Sequence, residues 1–169
     1  MRHLIVTMGA PGSGKSTYAA QFPYVVSTDR LRACGDDERD AISYTFRNSY
    51  AAIKQHLALG HEVVFDTTAK HPATRQQAVR LAWKYQARAT LAIFDRDVEA
   101  CVRAQIARLD PVPTDEVRRI HAEIRGQLSV VRFEGWSEVI VRREAAEEGV
   151  VIWRLPKQYE STRHSPYSI

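Results

Sequence analysis

Cysteine is nearly missing from this 169-residue chain: Cys34 and Cys101 are the whole supply. They stand far apart with no C-x-x-C spacing, which excludes a disulfide-stapled scaffold and a thiolate zinc ribbon. Two reduced thiols in a cytosolic, cytoplasmic protein are the expectation. The histidines, His3, His56, His61, His71, His121 and His164, are scattered without metal-ligand spacing and read as incidental. No apolar run approaches the ~20 residues of a membrane-spanning helix, so no membrane partner is expected. The N-terminal run from Leu4 to Met8 turns at once into glycines and is too short for a secretory leader. Eight glycines and seven prolines are too few for collagen or a low-complexity chain, and no internal repeat is visible. Charge of one sign is also in short supply. The balance of 24 Lys and Arg against 20 Asp and Glu gives +4, which permits a polyanionic partner without requiring one.

What is present suits one globular α/β domain: 44% hydrophobic and 26% charged residues. His3 to Met8 reads as a strand buried on both faces, as in a parallel sheet. A short helix starts at Thr17 and runs to Gln21, and Tyr24 to Ser27 is a second strand. A long helix covers Asp40 to Leu59 with Gly60 as its C-cap. Glu62 to Asp66 is a strand, and Pro72 opens a helix to about Lys84. Arg88 to Phe94 is the fourth strand. Helices over Asp97 to Arg108 and Asp115 to Leu128 follow, the latter with Thr114 as N-cap. Glu138 to Arg142 is the fifth strand, Ala145 to Glu148 a single turn, and Val150 to Leu155 a short extra strand. The strand–helix alternation predicts a mostly parallel five-stranded central sheet flanked by helices. The domain is expected to span residues 1–155, with a lid around 103–114 and a polar tail over 156–169. Trp83, Trp136 and Trp153 read as packing residues.

One motif stands out. Gly9-Ala10-Pro11-Gly12-Ser13-Gly14-Lys15-Ser16 satisfies G-x-x-x-x-G-K-[ST], with a buried strand before it and, through Thr17, a helix after it. The glycines let backbone N–H groups curl around phosphate oxygens, and the helix presents its N-terminus to the same charge. Lys15 suits the β- and γ-phosphates and the Ser16 hydroxyl suits Mg²⁺. ATP with Mg²⁺ is the expected cofactor pair.

Three strands end in aspartate: Asp29, Asp66 and Asp95. Ligands of open α/β sheets sit at the carboxyl ends of the strands. Asp29 is the candidate general base for an acceptor hydroxyl, or else a helix cap or ion-pair partner of Arg30 or Arg32. Asp66 would hold a metal-bound water or fix a substrate-binding arginine, and Thr67 beside it contacts the acceptor or begins the next turn. Asp95 leads into a helix and reads as structural. Arg32, three residues past Asp29, would share its helical face and bind an acceptor phosphate. Arg103 and Arg108 lie where a lid over the phosphates belongs, and a guanidinium fork matches a phosphoryl group in transit. Arg118, Arg119 and Arg125 read as surface residues. Neither a basic stripe nor interleaved aromatics point to a long nucleic-acid footprint.

These segments together resemble the 5′-hydroxyl polynucleotide kinase domains of phage and bacterial end-healing enzymes, within the P-loop kinase superfamily. The likeness runs through the phosphate loop and Ser27-Thr28-Asp29-Arg30-Leu31-Arg32. It continues through Val64-Phe65-Asp66-Thr67-Thr68, Cys101-Val102-Arg103 to Pro113, and Glu134-Gly135-Trp136-Ser137-Glu138-Val139. It implies a P-loop NTPase kinase fold with a small lid and transfer of the γ-phosphate of ATP to the 5′-hydroxyl end of RNA or DNA. Asp29 would be the general base, Arg32 the holder of the acceptor's 3′-phosphate, and Arg103 and Arg108 the donor clamp. The family's lid arginines usually sit four apart, whereas Arg103 and Arg108 sit five apart. A cooperating phosphatase or ligase would be a separate chain. A small-molecule kinase acting on a sugar, nucleoside or antibiotic shares the loop, base and arginines, and a non-kinase nucleotide switch shares the loop alone.

Overall fold

Aliphatic and β-branched residues fill the strand segments, and a computed structural model gathers them into one six-stranded sheet. The structure describes residues 1–31, 38–143 and 149–154. In chain order the elements are β1 (His3–Gly9), α1 (Lys15–Ala19), β2 (Val25–Ser27), α2 (Thr28–Leu31), α3 (Glu38–Ala58) and β3 (Glu62–Asp66). Then come α4 (Pro72–Lys84), β4 (Arg88–Phe94), α5 (Val98–Ile106), α6 (Thr114–Arg125), a 3₁₀ turn (Val131–Phe133), β5 (Glu138–Arg142) and β6 (Val150–Arg154). The strand order is β2-β3-β1-β4-β5-β6. The first five are parallel and β6 runs antiparallel to β5.

The short extra strand expected over Val150 to Leu155 thus joins the five-stranded sheet as a sixth member, ending at Arg154. The chain from Arg142 to Val150 is too short for the crossover a parallel neighbour needs, so the extra segment adds at the edge antiparallel.

Alternation along the strands sets the two faces. Leu4, Val6 and Met8 of β1 join Phe65 of β3 and Leu91 of β4 on the larger core, against Ile53 and Leu57 of α3, Ala78 of α4 and Val117 of α6. Ile5, Val64, Ala92 and Phe94 point the other way, onto Tyr18 and Ala19 of α1. Trp136 is wholly buried in the larger core, with Trp83 and Trp153 packed against it, as packing residues.

The boundaries of four helices move. α1 begins at Lys15 rather than Thr17, because Gly14 takes the N-cap position with φ 97°. α3 begins at Glu38, two residues before Asp40. Asp97 caps α5, its carboxylate accepting from the Ala100 N–H at 3.0 Å, so that helix starts one residue later than expected and ends at Ile106. Pro113, not Thr114, holds the N-cap position of α6, and Thr114 is the first helical residue with no side-chain cap bond. Gly60 does end α3, at φ 87° with its N–H on the Leu57 carbonyl at 3.1 Å. The expected turn at Ala145 to Glu148, the tail from Pro156 and the residues Arg32 and Cys34 lie outside the described residues.

Candidate active site

At the carboxyl end of β1 the chain must reverse within a few residues, and two glycines with positive φ do this: Gly12 at 82° and Gly14 at 97°. Gly12 has no room for a side chain, since a Cβ there would collide with the Cys101 carbonyl of α5. Gly9 is as tight: a Cβ would stand 2.7 Å from Ser13 Oγ and 2.9 Å from Phe94 Cβ. Ser13 is buried, and its Oγ has no partner among the described residues.

Lys15 is only 8% exposed and donates to the Ala10 carbonyl at 2.7 Å. Burial pushes its ammonium down to about 8, against the pull of the Asp66 and Asp29 carboxylates towards the charged form. Ser16 Oγ donates to Asp66 Oδ2 at 2.8 Å. Asp66 reaches this position because β3 lies beside β1 in parallel register, with Val6 opposite Phe65. The next residue is pinned as well: Thr7 Oγ1 donates to the Thr67 carbonyl at 3.0 Å and accepts the Thr67 N–H at 3.0 Å. The Gly9 N–H closes on the Thr68 carbonyl at 3.2 Å.

These groups border a cavity of about 550 Å³. Pro11, Gly12, Gly14, Lys15, Ser16 and Thr17 form one wall, and Thr28 and Asp29 stand on another. Ile42, Thr45 and Phe46 of α3 contribute apolar and hydroxyl surface, while Asp66, Thr67, Thr68, Lys70 and His71 follow β3 along the floor. Arg108 and Val112 border it from the α5–α6 connection. Of the residues singled out from sequence, Lys15, Ser16, Asp29, Asp66, Thr67 and Arg108 thus share one space. Gly9, Ala10 and Ser13 support the loop from behind. Arg103 is exposed and does not line the cavity, so of the two lid arginines Arg108 is the one that borders it. The surface expectation holds for Arg118, Arg119 and Arg125, which pair with Glu99, Glu116 and Asp95. Asp95 lies 3.4 Å from the exposed Arg125 guanidinium, and the helix it leads into is capped by Asp97 instead.

The oxygen donors of Ser16 and Asp66 stand side by side and are of the hard type that Mg²⁺ takes. The left-handed glycines and the orphaned Ser13 hydroxyl fit a polyphosphate in the same loop.

Sequence reasoning missed Lys70 and His71, which sit in a loop without a motif. It also missed the arginine that shapes that loop. Arg75 of α4 is 0% exposed; its Nε and Nη2 donate to the Glu134 carboxylate at 2.8 and 2.7 Å. Nη1 donates to the carbonyls of Ala69 at 2.7 Å and Lys70 at 3.2 Å, and Nη2 also to Gln127 Oε1 at 2.7 Å. Ala69 is held at φ 45°, a left-handed conformation that an alanine adopts only under constraint. The signal was present: Arg75, Ala78, Val79 and Ala82 recur at helical spacing, which puts an arginine on the buried stripe of α4.

Several solved structures share this architecture. A chain of the Pnkp1/Rnl/Hen1 RNA repair complex superposes with TM-score 0.67 at 23% identity, over 76% of this chain and 45% of its own. This chain therefore spans less than half of that one. Kti12 of Chaetomium thermophilum, in complex with ADP-AlF3, gives TM-score 0.63 at 19% identity over 94% of both chains. A gluconokinase from Sinorhizobium meliloti gives 0.55 at 18% identity, over 88% of this chain and 86% of its own. At these identities the likeness shows the fold, that of P-loop kinases. Among curated proteins none matches by sequence. The model of one protein family, described as an AAA domain, matches residues 4–130, and the chain belongs to that family.

Proposed function

We propose that this chain is a polynucleotide 5′-hydroxyl kinase, transferring the γ-phosphate of ATP to the 5′-hydroxyl of an RNA or DNA end. The carrying observation is Asp29: exposed in the first turn of α2, two residues past β2 rather than at its end, it borders the same cavity as Lys15, Ser16 and Arg108. ATP with Mg²⁺ supplies the transferable phosphoryl group when bound. Backbone N–H groups of Gly12 to Lys15 hold its phosphates, and the Lys15 ammonium offsets their charge at neutral pH. Ser16 and Asp66 hold the metal, and Thr67 lies on the acceptor side. Asp29 orients the acceptor hydroxyl and takes its proton. Arg108 matches charge on the phosphoryl group in transit. Arg32, outside the described residues, has the acceptor's 3′-phosphate as its proposed ligand, by the family resemblance. The RNA repair complex among the structural neighbours supports an end-healing role beside a separate phosphatase or ligase.

A small-molecule acceptor is the second reading, favoured by the gluconokinase that aligns over most of both chains. The test is transfer from γ-labelled ATP with Mg²⁺ to short 5′-hydroxyl RNA and DNA. Labelled oligonucleotide, lost in Lys15→Ala and Asp29→Asn, is the expected result. Tight ATP binding without labelled oligonucleotide would sink the polynucleotide reading. Sugars, nucleosides and antibiotics would then be tried as acceptors, and a nucleotide switch would remain if none is labelled.

A further inference from the structure

Beyond Lys70 and His71 the surface falls into a second, open cavity of about 530 Å³, and those two residues line both spaces. Its floor is the Arg75–Glu134–Gln127 network already described, a built and fully hydrogen-bonded polar base. Gln127 adds a bond from Nε2 to the Lys70 carbonyl at 2.9 Å, so the floor and the junction are fastened together. The walls are apolar: Pro72 at the start of α4, and Val130 and Phe133 from the 3₁₀ turn region. Val131 in that turn is wholly buried, which anchors it from inside, while Phe133 is 71% and Val130 49% exposed. A turn rooted in the core thus holds an exposed aromatic ring, with the Arg132 guanidinium over it at 4.8 Å from the centroid, at the edge of a cavity that adjoins the reaction site.

We propose that this cavity receives the second nucleotide of a single-stranded acceptor, with its base against Phe133. The proposal rests on the polynucleotide reading and deepens it. A hydroxyl that reacts between Asp29 and Lys15 fills the first cavity with its own nucleotide, and the rest of the strand must leave by an open side. The Lys70–His71 junction is such an exit, and the space beyond it is of nucleotide size. Every base has a π-face, so a lone aromatic platform accepts any sequence. The charges near the junction decide what carries the affinity. Lys70 Nζ lies 3.6 Å from Glu123 Oε2, and Arg119 pairs with both Glu123 and Glu116. Those two positive and two negative charges cancel, and the Arg132 guanidinium over the Phe133 ring is left as one further cation beside the cavity. Stacking therefore supplies most of the preference, and a single added cation gives it only a shallow salt dependence.

The test compares KM for three acceptors, each with a 5′-hydroxyl and a 3′-phosphate: a mononucleotide, a dinucleotide and a trinucleotide. KM should fall roughly tenfold from mononucleotide to dinucleotide, the scale of one base–aromatic stack, and little further for the trinucleotide. Phe133→Ala should remove the step and Phe133→Tyr should keep it, with circular dichroism checking that both fold. Equal KM for mononucleotide and dinucleotide, with transfer intact, overturns the second cavity but leaves the kinase reading standing. A length step that survives Phe133→Ala overturns it too. If no acceptor of any length is phosphorylated, the polynucleotide reading fails and takes the subsite with it.

Discussion

Arg75 and Glu134, distant in sequence, meet as a two-point ion pair with the arginine wholly buried and the carboxylate nearly so. Removing one partner leaves the other charge buried without compensation, which costs about 3–5 kcal/mol. Glu134→Ala is therefore expected to lower the melting temperature by about 10 °C, at 2–4 °C per kcal/mol for a domain of this size. Thermal unfolding followed by circular dichroism measures it. A shift below about 2 °C would mean that the pair is not a structural keystone.

Lys15 carries a pH signature. Its ammonium, held down to about 8 by burial, returns to its ordinary value near 10.5 on unfolding. Below pH 8 both states are protonated and the cost of the buried charge is fully present. Between pH 8 and 10.5 the unfolded chain binds more protons, so stability rises with pH across that window. For a fall from 10.5 to about 8 the increment is of the order of 3 kcal/mol, and Lys15→Met should not show it. Urea titrations of both proteins at pH 7.5 and 10 provide the comparison. For nucleotide the sign reverses: the charged lysine is the one that meets phosphate, so ATP affinity should fall as pH rises beyond 8.

Asp29→Asn should lower kcat by about 10²–10⁴ while leaving ATP binding intact, since its proposed role is with the acceptor hydroxyl. Of the two arginines proposed as the donor clamp, Arg108→Ala should cost about 10² in kcat and Arg103→Ala distinctly less, because Arg108 borders the cavity and Arg103 does not. Steady-state kinetics on the four proteins settles both points, and a larger loss for Arg103→Ala would reverse the assignment.

Gly12→Ala asks for a side chain at φ 82° and against the Cys101 carbonyl. The left-handed backbone alone costs about 1–2 kcal/mol, and the collision adds to it. Loss of ATP binding together with lower stability is expected. Calorimetric titration with ATP would show retained affinity if the loop can relax.

Much of the fold was legible because continuous apolar runs ending in aspartate are what buried parallel strands look like. The bounds of β3, α4, β4 and β5 came out as expected from such runs and from Pro72. Helix starts failed where backbone geometry overrode side-chain signals. Gly14 caps α1 because it tolerates φ 97°, and Pro113 displaces the hydroxyl of Thr114 from the cap. In the site, a motif with a mechanism located Lys15 and Ser16, and a strand end located Asp66. Lys70 and His71 were invisible because their place depends on Arg75 pulling a loop inward from a distant element.

The contact between Gly12 and the Cys101 carbonyl has a mechanical consequence. Arg96 Nη1 reinforces it by donating to the Gly12 carbonyl at 3.2 Å, so the root of α5 is clamped to the phosphate loop. Gln105 Oε1 takes the Val112 N–H at 3.2 Å and latches the far end of the connection back to the same helix. Arg108 rides between these two fixings. The segment that carries Arg108 is thus a short loop fastened back onto α5 at Val112, which limits how far its guanidinium can swing.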